Sequence, residues 1–263
     1  MYILIDTSYF VFFRYFATLR WYQLKYPDVA ASPGEDQQFI AAFLKHVDDT
    51  LAKICKPHAA ASIVFCRDCP RAEIWRMRDY GEYKGTRATP AAFDKRIFPI
   101  FYDHLVARGL PCIGAAALEA DDIVYLCCRH IRECYGDEPQ ILCYSNDNDY
   151  LQLLQIPNVR VVNLQGTDLA TRSCGCPQKD ILIKALSGDK SDNIPVVCRG
   201  LGPKTAAKLA DMSAEDRATW LSKKGGAAAL ETLERNLRLV DFAHIPRELA
   251  ATVSFDAITQ KMI

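Results

Sequence analysis

Nine carboxylates stand where folding could bring them together: Asp6, Asp68, Glu119, Asp121, Asp122, Asp147, Asp149, Asp189 and Asp192. Seven of them fall in three short motifs, Glu119-Ala120-Asp121-Asp122, Asn146-Asp147-Asn148-Asp149 and Gly188-Asp189-Lys190-Ser191-Asp192-Asn193-Ile194-Pro195. Converging on one cleft, such acids would repel one another unless cations neutralised them. An all-oxygen set without histidine favours Mg²⁺ or Mn²⁺ over zinc. Two such ions about 3.5–4 Å apart can activate water and stabilise the leaving oxygen of a phosphodiester. Downstream, the turn Gly200-Leu201-Gly202-Pro203 opens a basic helix that begins with Lys204 and Thr205 and runs to Leu209. A glycine turn ahead of a lysine-bearing helix suits phosphate. Each acid also has a purely structural reading: Asp6 could cap a helix, and Glu119, Asp121 and Asp122 could complement a helix dipole.

The acids need elements to hold them. Tyr2 to Ile5, Ala60 to Phe65, Leu110 to Ile113, Gln140 to Ser145 and Val159 to Leu164 are short apolar runs that read as strands. Helical spacing over Gln37–Ile54, Pro90–Arg108 and the stretch after Glu119 supplies the layers between them. Alternation of this kind, with acids after strands one, two and four and around strand three, indicates a largely parallel sheet with one acidic edge. Spacing alone leaves Asp121 round the helix from Glu119 and Asp122, unless Glu119 lies in the turn before it.

Basic and aromatic residues interleave between Trp75 and Arg87: Trp75, Arg76, Arg78, Tyr80, Tyr83, Lys84 and Arg87. That mixture suits nucleic-acid contact, against a solvated loop as the structural alternative. Tyr9 to Leu24, with Arg14 and Arg20, is aromatic-rich and suits either core or base stacking. Pro27 to Gly34 reads as a loop.

The chain of 263 residues carries 32 basic and 32 acidic side chains, which excludes a simple polybasic binder. Half the residues are hydrophobic, enough for a sizeable core. No membrane span or signal pattern is visible, so a soluble intracellular protein is expected, nuclear, cytoplasmic or viral according to its source. The eleven cysteines are expected to be free thiols. Zinc at Cys66-x-x-Cys69 with Cys174-x-Cys176 is the less favoured alternative.

Taken together, the three acidic motifs, Tyr83-Lys84-Gly85-Thr86-Arg87, Gly200-Leu-Gly202-Pro-Lys204-Thr-Ala and Asn236-Leu-Arg-Leu-Val-Asp241 resemble the flap endonuclease/5′–3′ exonuclease family nearly end to end. The resemblance implies an α/β, PIN-like catalytic core over residues 1–177, including a helical arch over about 76–108. It implies a C-terminal helix–three-turn–helix region over 178–263. It further implies one ion held by Asp6, Asp68, Asp121 and Asp147, and a second near Asp149, Asp189 and Asp192. Glu119 and Asp122 would act directly or through water, and Lys84 and Arg87 would contact the scissile phosphate. Asp121 and Asp147 would be the acids on which turnover most depends. DNA contacts are implied at Arg14, Arg78, Tyr83, Lys84, Arg87, Lys190, Gly200, Gly202, Lys204 and Thr205, with K⁺ at the Gly200–Gly202 turn. The sequence departs from the family in two places. Cys66 stands where an aspartate usually follows the strand phenylalanine, and Asp68 comes two residues later. After Pro195, Val196 replaces the usual glycine.

The expected activity is metal-dependent 5′ nuclease action on flapped, nicked or branched DNA, including RNA-primed ends, by a monomer without a fused polymerase domain. A PIN-type ribonuclease and a non-catalytic junction-binding protein are the alternatives.

Overall fold

The computed structural model describes residues 1–27, 32–58 and 60–259. Part of the loop expected over Pro27–Gly34 lies outside them. A five-stranded, wholly parallel sheet forms the centre, with strands β1 (Tyr2–Asp6), β2 (Ser62–Cys66), β3 (Cys112–Ile113), β4 (Ile141–Tyr144) and β5 (Val159–Val162) in the order β3-β2-β1-β4-β5. The expected α/β class is therefore observed. The strand order reverses at β1, so the crevice beyond the C-terminal ends of β1 and β4 is where such a sheet takes ligands.

Alternation along each strand divides the core. Tyr2 and Leu4 face α5 (Ala120–Tyr135), while Ile3 and Ile5 face α1 (Thr7–Lys25), α2 (Gln37–Cys55) and α4 (Ile97–Ala107). Both faces are covered, which is why the strands read as unbroken apolar runs. Three aromatics of α1 point inward: Phe10, Tyr15 and Tyr22 are buried, and Phe10 meets Phe65 edge-on at 5.5 Å. They are core, and those rings are closed to base stacking.

Several boundaries differ from expectation. Strand β2 starts at Ser62 and ends on Cys66, and β3 is reduced to two residues. The helix expected from Pro90 begins only at Ile97. Asp94 is the cause: its carboxylate accepts from the Arg96 amide at 3.0 Å and from the Gly34 amide at 2.8 Å, which holds a turn in place of the helix start. The segment over which the helical arch is expected, about 76–108, is helical at its two ends. The segment holds one short helix, α3 (Arg76–Asp79), then turns as far as residue 96, and α4 buries Ile97, Phe101 and Leu105 in the main core.

Beyond β5 the chain is helical, with α6 (Pro177–Ser187), α7 (Pro203–Ala210) and α8 (Ala214–Val240). Helix α8 kinks at Gly226, whose φ is 66°. Cys127, Cys128 and Cys143 are buried as free thiols. Among the described residues no cysteine belongs to a cluster able to hold a metal, so the zinc reading finds no support. No helix among them is long and apolar enough to cross a membrane.

Candidate metal-binding and nuclease site

Asp6 ends β1 and caps α1, accepting from the Tyr9 amide at 2.9 Å. Its other oxygen accepts from Tyr150 Oη at 3.0 Å and Ser145 Oγ at 3.2 Å. The capping and site readings of Asp6 are therefore compatible, one oxygen serving each. Burial and the neighbouring charge of Asp68 push its carboxyl up to about 7. Asp68, although displaced by two residues in sequence, reaches the same edge: it accepts from Ser8 Oγ and, at 2.9 Å, from the Ala120 amide at the start of α5.

Glu119 precedes α5 as its N-cap, with extended backbone, so all three acids of that motif converge. Carboxylate oxygens of Glu119, Asp121 and Asp122 lie within 4.8 Å of one another. Their roles diverge there. Asp122 is fully buried and joined to Arg76 by two bonds, Oδ1 to Nη2 at 2.7 Å and Oδ2 to Nη1 at 2.9 Å. Its Oδ2 also accepts from Trp75 Nε1 at 3.0 Å and from the Glu119 amide at 3.1 Å. With both oxygens so engaged, Asp122 anchors the motif from behind. Asp121 is partly exposed, and burial together with the charge of Asp122 pushes its carboxyl well above the usual range.

Asp147 follows β4 and caps the 3₁₀ turn Asn148–Gln155, accepting from the Asp149 amide at 3.1 Å. Asp149 lies in that turn, and Asp189 and Asp192 sit on the loop after α6. Asp189 and Ile194 exchange backbone hydrogen bonds of 2.9 and 2.8 Å, closing a tight loop around Asp192. Gly188 enters it at φ 71°, and a Cβ there would come within 2.5 Å of the Ile194 carbonyl oxygen. Glycine is required at that position. Asn236, buried on α8, donates to the carbonyls of Ala185 and Pro195 at 2.8 Å each and ties the loop's two ends to the helix.

The basic motif docks on this loop. The Lys84 amide donates to the Asp192 carbonyl at 2.8 Å, and Asn193 Nδ2 donates to the Glu82 carbonyl at 2.9 Å. Lys84 adopts φ 54°, uncommon for a side-chain-bearing residue, and its ammonium bonds Glu119. Lys84 Nζ and Arg87 Nη1 each lie 3.9 Å from Asp192 Oδ1. Both cations thus face the acids.

The other residues expected at the DNA differ in exposure. Tyr83 is buried, and its hydroxyl donates to Glu119 at 3.1 Å, so this ring is part of the site's foundation and not a free stacking surface. Trp75 and Arg76 are likewise buried. Clustered acids behind the cleft required an internal cation, which drew that part of the basic stretch inward. Arg14 is half-buried, donating to Thr50 at 3.1 Å and lying 4.5 Å from the Phe13 ring centre. Arg78, Lys190 and Lys204 are exposed, as are Gly200 at φ 81° and Gly202, while Thr205 is half-buried in α7.

Two charged residues were missed by sequence reasoning. Arg76 stood in the basic stretch without any mark separating it from its neighbours. Lys184, on α6, bonds Asp149 and lies 2.8 Å from Asp189. Its position shortly before Gly188-Asp189 was the available signal. Burial, and the charges of Asp147 and Asp192, push Asp149 up to about 6 against the pull of Lys184. A cleft of 410 Å³ opens beside these groups, lined by Asp147, Asp149, Lys184 and Asp189 among others.

Comparison with known proteins agrees with this geometry. Residues 1–179 match the family model described as 5′-3′ exonuclease, N-terminal resolvase-like domain. The chain is 32% identical over 215 residues to a 5′-3′ exonuclease of Aquifex aeolicus, covering 78% of this chain and 67% of that protein. It is 29% identical over 184 residues to a DNA polymerase I of Rhizobium leguminosarum, covering 68% of this chain and only 18% of that polymerase. Two solved structures share the fold. One is a T5 5′-exonuclease with bound divalent zinc ions (TM-score 0.65, 19% identity, 99% of this chain and 97% of that one). The other is a bacteriophage T5 flap endonuclease complexed with DNA and metal ions (TM-score 0.65, 18% identity, 100% of this chain and 99% of that one). The carboxylate edge of the sheet and the match across residues 1–179 lead to one conclusion: the chain belongs to the 5′-3′ exonuclease family.

Proposed function

We propose that the protein is a structure-specific 5′ nuclease that hydrolyses DNA phosphodiesters near single-strand/duplex junctions. One observation carries this reading: carboxylate oxygens of Glu119, Asp121 and Asp122 converge within 4.8 Å of one another, and Lys84 and Arg87 stand beside them, each 3.9 Å from Asp192. The donor chemistry fits hard divalent cations, since the acids offer oxygen alone and several are raised by burial among like charges. Mg²⁺ or Mn²⁺ would be held by Asp6, Asp68, Asp121 and Asp147 in one group, and by Asp149, Asp189 and Asp192 in another. When bound, two such ions lower the pKa of water and neutralise charge on a phosphodiester.

The chain's own groups prepare that chemistry. Arg76 and Asp122 fix Glu119, and Glu119 in turn orients the Lys84 ammonium. Lys84 and Arg87 stand where they can stabilise negative charge developing on the substrate phosphate. Residues 1–177 would form the catalytic core. The region from 178 onward would act as a helix–three-turn–helix module, with the exposed Gly200–Lys204 turn gripping duplex backbone and K⁺ bound there. The same reading takes the protein as an intracellular monomer acting on flapped, nicked or branched duplexes in replication or repair.

The test is cleavage of end-labelled 5′-flap and nicked duplexes, with matched RNA, in Mg²⁺ with and without chelator. Chelator-sensitive cuts near the junction, leaving 5′-phosphates, are expected. Cleavage confined to RNA would transfer the assignment to a ribonuclease, and binding without turnover to a junction-binding protein.

A further inference from the structure

The two groups of acids differ in what already neutralises them. Asp6, Asp68, Asp121 and Asp147 accept hydrogen bonds from neutral donors: backbone amides, Ser8, Ser145 and Tyr150. Asp149 and Asp189 share the ammonium of Lys184 instead. The lysine side chain is 20% exposed, and those of Asp149 and Asp189 are 11% and 22% exposed. Screening by water is therefore weak at this pair of contacts; burial disfavours the ammonium's charge, but the carboxylates of Asp149 and Asp189 outweigh it and keep the lysine charged. Lys184 reaches in from α6 on a flexible four-carbon stem, and the adjoining 410 Å³ cleft gives it room to withdraw.

We propose that Lys184 is a tethered counter-cation occupying the place of the second divalent ion, and that it must swing out before that ion binds. The inference rests on the two-ion reading above. Its consequence is ordered loading. The first group takes its ion without displacing a charge, whereas the second has an apparent affinity reduced by the fraction of time the lysine spends inside. Metal-free protein is in return spared the repulsion between Asp149 and Asp189.

Mn²⁺ alone serves as the probe, with free ion counted by electron paramagnetic resonance on the whole chain. Wild-type protein is expected to bind one ion tightly and one weakly. Lys184→Met should tighten the weak site by about tenfold and leave the tight site unchanged, while Lys184→Arg should resemble wild type. An unchanged or weakened second site in Lys184→Met overturns the proposal. Fewer than two Mn²⁺ bound by wild type identifies failure of the two-ion reading itself, and the proposal falls with it. A second measurement needs no variant. Labelling of Lys184 by an amine-acylating reagent, read by peptide mass spectrometry, should rise when wild-type protein is saturated with Mn²⁺. Labelling unchanged by Mn²⁺ overturns the proposal as well.

Discussion

Arg76 and Asp122 form a two-pronged ion pair at 2.7 and 2.9 Å with both side chains removed from solvent. The same guanidinium donates through Nε to the Leu239 carbonyl at 2.7 Å, so it joins the start of α5 to the end of α8. The acidic motif at the start of α5, the basic stretch and the C-terminal helix thus share one buried cation.

Removing that cation leaves the buried Asp122 carboxylate without a cationic partner and Glu119 with Lys84 alone. Arg76→Met should destabilise the protein by about 3–5 kcal/mol. Adding Asp122→Leu should recover part of the loss, because the second change removes the stranded charge. Urea unfolding of the single and double variants checks this.

Asp121 illustrates function and stability in opposition. Burial and the charge of Asp122 disfavour its ionised form. Asp121→Asn should abolish flap cleavage, by at least about a hundredfold, yet raise the stability of metal-free protein by roughly 1 kcal/mol. Cleavage rates and melting temperatures in chelator test both halves; a variant that retains full turnover contradicts the assignment.

Asn236 contributes through the backbone. Asn236→Ala would leave the Ala185 and Pro195 carbonyls without their side-chain donor, at a cost of about 1–3 kcal/mol. Hydrogen exchange should rise in the Gly188–Pro195 loop well beyond its rise in the sheet.

Asp94 sets an acid limb of stability away from the site. Its hydrogen bonds from Arg96, and from the amides of Arg96 and Gly34, hold its carboxyl at about 2, below the ordinary 3.8. A depressed carboxyl stabilises the fold above the unfolded value, and that contribution is lost as pH falls through the folded one. Partial screening limits it to on the order of 1 kcal/mol. Asp94→Asn should therefore flatten the melting temperature between about pH 4 and pH 2 relative to wild type.

The sequence by itself determined the parallel sheet and the acids at its edge. Apolar runs bounded by polar turns fix strands, and strand ends fix where Asp6, Asp68 and Asp147 emerge. It showed a glycine-led turn at Gly188, but the structure supplied the reason glycine is required there: the loop returns on itself at Ile194 and leaves no room for a side chain. The tertiary structure alone decided which charges were spent internally. Arg76 and Arg78 look alike in sequence, yet one is buried beneath Glu119 and Asp122 and the other is exposed. Lys184 meets Asp149 only because α6 packs against the turn after β4, bringing together residues 35 positions apart. Local pattern encodes periodicity and turn chemistry, whereas the pairing of buried charges depends on which elements meet and how far water is excluded between them.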